Sequence, residues 1–95
     1  MIHHTVSFRL EESADDDTFW SRVDERSTLA GVRQFRVLRQ VGAKNSFTHA
    51  LSMYFDSQTD HDAYDDDADH VAFVRDVWIP NVADFIELDY VDAAS

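Results

Sequence analysis

Four stretches of this chain alternate apolar and polar residues with a period of two, and the stretches between them space their apolar residues three or four apart. No other feature restricts the fold as much, because a two-residue period faces one side of a strand and a 3.6-residue period faces one side of a helix. Ile2, His4, Val6, Phe8 and Leu10 alternate with His3, Thr5, Ser7 and Arg9, which predicts a first strand. In "EESADDD", Ser13 is the candidate N-cap of a helix whose apolar side is Phe19, Trp20, Val23 and Ala30. Asp15 to Asp17 then form a solvated first turn that opposes the helix dipole.

Gly31 ends that helix, and Phe35, Val37, Arg39 and Val41 alternate with Arg36, Leu38 and Gln40 up to the turn "GAKNS". A third strand places Phe47, His49, Leu51, Met53 and Phe55 on one face and Thr48, Ala50, Ser52 and Tyr54 on the other. Ser57 caps a second helix that sets His61 and Tyr64 on one side. Asp67 caps a third, in which His70, Val74 and Val77 form one stripe and Val71, Val74 and Trp78 its neighbour, with Pro80 kinking or ending it. "ADFIELDYV" is the fourth strand.

This order predicts a single α+β domain over residues 1–95, a ferredoxin-like βαββαβ fold with a four-stranded antiparallel sheet. Helices cover one face of such a sheet. The other face carries Thr48, Ala50, Ser52, Tyr54, Ile86, Leu88 and Tyr90, which is apolar enough to predict a homodimer through it.

Composition narrows the function. Nineteen acidic residues against eight basic ones give a formal charge of −11, which disfavours nucleic acid and anionic membrane surfaces as partners. Asp outnumbers Glu by 15 to 4, a balance that fits either adaptation to high salt or base-composition bias. Cysteine is absent, so thiolate metal sites and a cysteine nucleophile are excluded. No run approaches the roughly 20 apolar residues that span a bilayer, and "MIHHTVSFRL" lacks the marks of a signal peptide, so a soluble, cytoplasmic protein is expected.

"HDAYDDDADHVAF", residues 61–73, holds two histidines and a tyrosine among aspartates. Metal binding is one reading of it, but the chain has no H-E-x-x-H, and "DSQTDHDAYDDD" lacks the glycine and terminal glutamate of an EF-hand. Asp65, Asp66, Asp67 and Asp69 read more simply as a solvated helix junction. No metal or cofactor is predicted.

The stretches "HHTVSFRL", "LAGVRQF", "FTHALSMYFDS", "AYDDDADHVAFV" and "FIELDYV", in this order, resemble the stress-responsive dimeric α/β barrel (Dabb) family over nearly the whole chain. The resemblance implies two ferredoxin-like protomers joined sheet to sheet and, by similarity to polyketide cyclases of the olivetolic acid cyclase type, a cofactor-free aldol-type cyclisation. It further implies His70 as general base, Tyr64 as the partner polarising a carbonyl, and His4 and His49 as supporting polar groups. Phe8, Met53, Val74 and Trp78 would line the ligand cavity. Asp67 and Ala68 stand where the family stiffens the helix start with proline, and His61 stands where it is usually apolar. A non-catalytic stress or scaffold dimer with a filled interior is the alternative. Cavity size separates the two, since a small-molecule site needs a few hundred cubic ångströms.

Overall fold

The computed structural model describes residues 1–94. Its order is β1 (Ile2–Leu10), α1 (Asp16–Asp24), β2 (Arg33–Arg39), β3 (His49–Phe55), α2 (Gln58–Asp66), α3 (Ala68–Phe73) and β4 (Val82–Tyr90). A 3₁₀ turn, Glu25–Thr28, extends α1, and a π-helical turn, Val74–Trp78, followed by Ile79–Asn81, extends α3. The strands form one antiparallel sheet in the order β2-β3-β1-β4. This is the ferredoxin-like α+β fold that the periodicity predicts.

Register decides which side chains meet. His4 lies between Met53 and Asp89, Val6 between Leu51 and Glu87, and Phe8 between His49 and Phe85. These residues share the helix-facing side, and Phe8, Phe19, Val23, Met53 and Phe55 are fully buried there. The alternate residues pair His3 with Tyr54 and Tyr90, Thr5 with Ser52 and Leu88, and Ser7 with Ala50 and Ile86 on the uncovered side.

The caps follow local chemistry with one correction. Ser57 accepts from the Asp60 amide, and Asp67 accepts from the amides of Asp69 and His70, as predicted. The cap of α1, however, is Asp15, which accepts from the Thr18 amide at 3.2 Å, and Ser13 is not used. The cause is tertiary: Asn81 accepts from the amides of Glu11 and Asp15, so the chain turns through residues 11–14 before the helix can start. Gly31, at φ +84°, takes the left-handed conformation that closes the first crossover.

The last helix ends at Asn81, one residue after Pro80, and the turn before the proline is π-helical. A proline ring presses on the carbonyl four residues back, here Asp76, and the wider π turn around that residue relieves the pressure. The turn also sets the direction of Val77 and Trp78, which are both buried.

Candidate functional site

Between the sheet and α2/α3 lies a cleft of about 90 Å³. Its walls are apolar, with Val6, Leu51 and Met53 from the sheet and Phe73, Val74 and Trp78 from the helix. Four polar side chains interrupt them: His4, Arg26, Tyr64 and His70. Phe85 and Glu87, from the edge strand β4, form the rim.

Each polar group has a structural reason for its place. Tyr64 sits one turn after His61 on the buried side of α2. His70 lies in the first turn of α3, where the Asp67 cap holds its amide at 3.2 Å. The two rings are 4.1 Å apart between centroids, so the end of one helix and the start of the next bring them together. Arg26 enters from the 3₁₀ turn, only 3% exposed, with its guanidinium 4.3 Å above the Phe73 ring. Among the described residues its side chain makes no hydrogen bond or ion pair, and its Nε is buried without a partner.

Burial sets the protonation states. It pushes the Tyr64 phenol up to about 12, with the nearby Arg26 charge acting against it. His70 is lowered to about 4, first by burial and then by Arg26. Burial also lowers Arg26, which nevertheless stays charged at neutral pH. At pH 7 the cleft therefore holds a neutral phenol, a neutral imidazole and one cation that forms no ion pair among the described residues.

The structure brings His4, Tyr64, His70, Met53, Val74 and Trp78 to this cleft and does not bring His49 or Phe8. His49 faces Phe8 across the strand pair, packs at a tilt with its ring 4.9 Å from that of Trp20 and has Nδ1 2.9 Å from the Thr48 hydroxyl. Four residues along a strand are about 13 Å, so sharing a face with His4 does not mean sharing a cavity. Phe8 is core, 4.9 Å from Trp78.

Arg26 is the residue missed. A signal for it existed, because Phe19, Val23 and Arg26 recur at helical spacing and put a charge on the apolar stripe. Beside the cleft a second polar group forms: His4 Nδ1 is 2.5 Å from Asp89 Oδ1, and His61 lies over both. His4, His61 and Asp89, or His61, Asp62 and Asp65, have the donor spacing to hold a metal ion.

Comparison with known proteins agrees with this architecture. The model of the stress responsive A/B barrel domain, Dabb, matches residues 2–92. The chain belongs to the Dabb family. A Dabb protein with a ferredoxin-like fold from Mesorhizobium loti is 39% identical, with a TM-score of 0.90 over 96% of this chain and 95% of that one. A stress-response A/B barrel domain-containing protein of Arabidopsis thaliana is 26% identical over 96% of this Dabb chain. The chain spans only 36% of that protein's length. A hydroxynitrile lyase from Passiflora edulis shares the fold at 16% identity, with a TM-score of 0.85 over 99% of this chain and 94% of that one.

Proposed function

We propose that the cleft binds the reactive end of a small enolisable carbonyl compound, with Arg26 and Tyr64 holding the oxygen and His70 exchanging the proton. The observation that carries this reading is the buried Arg26, its Nε without a hydrogen-bond partner, beside a neutral phenol and a neutral imidazole. Removing a proton from carbon next to a carbonyl leaves an enolate, and its oxygen carries the charge. A phenol that keeps its proton can donate to that oxygen, and a buried guanidinium stabilises it far better than it would in water.

His70 alone is a weak base, because an imidazole lowered to about 4 takes a proton reluctantly at neutral pH. Arg26 is one cause of that lowering, and an enolate beside Arg26 cancels it. Proton transfer to His70 and charge build-up at Arg26 thus assist each other. Aldol-type ring closure of a poly-β-ketone is the fullest version of this chemistry. The cleft, at about 90 Å³, accommodates the reacting carbonyls, and the remainder of such a ligand lies over the rim at Phe85 and Glu87.

The test is a thermal-shift and NMR titration with acetylacetone. Saturable stabilisation is expected, with shifts at His70 and Tyr64, and it is lost in Arg26→Met and Tyr64→Phe. An unresponsive protein would remove the reading. The modest cleft volume, below the roughly 300 Å³ of ordinary ligand pockets, favours a second one: a non-catalytic homodimer with its interior largely filled. Both readings take the homodimer through the uncovered sheet face, where Ile86, Leu88 and Tyr90 are 44%, 43% and 50% exposed.

A further inference from the structure

Three side chains from three elements, distant in sequence, converge beside the cleft. His4 comes from β1, His61 from α2 and Asp89 from β4. His4 Nδ1 stands 2.5 Å from Asp89 Oδ1 and 3.3 Å from His61 Nε2, and His61 Nε2 is 3.5 Å from the same Asp89 oxygen. Both histidines are buried, while the Asp89 side chain is 45% exposed.

Protons satisfy this triangle poorly. A neutral imidazole has one N–H, and His4 directs its own toward Asp89. Were His61 protonated on Nε2, that hydrogen would face the proton-bearing nitrogen of His4, and the lone pair on Nδ1 would face the carboxylates of Asp65 at 3.5 Å and Asp62 at 3.8 Å. Protonation on Nδ1 removes that repulsion and turns the Nε2 lone pair into the triangle, where it meets the Asp89 oxygen at 3.5 Å, so a cation between them satisfies what a proton on His61 does not. His61 Nδ1 is itself buried with no hydrogen-bond partner, and two carboxylates behind Nδ1 against one before Nε2 favour the proton on Nδ1. A carboxylate behind one ring nitrogen and an inward lone pair on the other is the arrangement of a metal-binding histidine.

We propose that His4 Nδ1, His61 Nε2 and Asp89 Oδ1 bind one divalent transition-metal ion of the Zn²⁺ or Co²⁺ type per chain, with Asp65 and Asp62 orienting His61. Edges of 3.3 and 3.5 Å match the separation of about 3.3 Å between ligands held tetrahedrally at 2.0–2.1 Å. The 2.5 Å edge is a hydrogen bond, and it opens when the ion displaces its proton. Two imidazoles and one carboxylate suit this class of ion rather than Mg²⁺ or Ca²⁺, which prefer all-oxygen sets. The exposed side of Asp89 leaves an entry path and room for solvent on the metal. His61 and Asp89 take no part in the carbonyl reading, so the proposal stands apart from it.

Titration of the metal-free protein with Co²⁺, followed by visible absorption, and with Zn²⁺ by calorimetry, tests this. One ion per chain is expected, with ligand-field bands that free Co²⁺ lacks. His61→Leu, which keeps apolar packing against Phe55, and Asp89→Asn, on a solvent-facing carboxylate, should each weaken binding by at least about 100-fold. Asp65→Asn should weaken it about tenfold, and Asp66→Asn not at all. Absence of Co²⁺ binding, or binding that survives His61→Leu or Asp89→Asn, would overturn the proposal. So would loss of binding in Asp65→Asn with Asp89→Asn unaffected, which would put the ion on the other side of His61.

Discussion

His70 and Arg26 are both held in states that folding alone does not favour. His70 has its folded pKa lowered to about 4, whereas an unfolded imidazole titrates near 6.5. Between these values the unfolded chain binds a proton that the folded chain excludes. Its contribution is therefore neutral above about pH 6.5, increasingly destabilising as pH falls from there to about 4, and constant below. Burial and the charge of Arg26 oppose protonation, and Asp65 and Asp67 favour it. An NMR titration of the His70 ring should show a midpoint near 4, and His70→Gln should flatten the fall of melting temperature between pH 6.5 and 4 relative to wild type. A midpoint near 6.5 would contradict the burial argument.

Arg26 gives the complementary test. Replacing a buried, unpaired cation by an apolar side chain of similar length removes a desolvation cost. Arg26→Met should raise the melting temperature by about 4 °C, roughly 1 kcal/mol for a domain of this size, while abolishing the response to acetylacetone. A variant that melts lower would mean that Arg26 is a structural residue. Alternation and caps fix the faces of His4, Tyr64 and His70, and the resemblance to the Dabb family singles them out as site candidates. Sequence alone hides Arg26 and Asp89, since which inward-facing charge reaches which neighbour depends on strand register and on where α1 ends.

At the scale of elements, the junction between α2 and α3 positions the cleft. Asp67 ends one helix and caps the next, so a single extended residue joins them and Tyr64 meets His70. Asp67→Ala should cost about 1 kcal/mol in chemical denaturation and broaden the His70 resonances, and Asp66→Asn should change neither. Equal effects of the two would mean that the acidic run acts through its charge alone. Ser57 and Asp67 are readable as caps because they sit directly before their helices in sequence. Asp15 is not, since the partner that delays α1, Asn81, lies 66 residues away. The π turn is hidden for a similar reason: proline announces a disturbance but not how the preceding turn absorbs it.

At the scale of the whole molecule, the sheet has one covered face and one bare one. Light scattering at micromolar concentration should give the mass of two chains, and the double variant Tyr54→Asp, Leu88→Asp should give that of one. A wild-type monomer with native spectra would remove the homodimer. No helix among the described residues is long and apolar enough to cross a membrane.

Strand β4 belongs to both faces at once. Its odd-numbered residues Phe85, Glu87 and Asp89 look toward the helices, and its even-numbered Ile86, Leu88 and Tyr90 look away. A shift imposed on the even set by a neighbouring chain would move the same backbone that carries the odd set. If the proposed ligand and the proposed dimer both form, their equilibria are linked, and linkage is reciprocal: a ligand bound more tightly by the pair tightens the pair by the same factor. Acetylacetone should consequently shift the dimer dissociation constant measured by sedimentation. An unchanged constant under saturating ligand would show that the strand insulates its two faces.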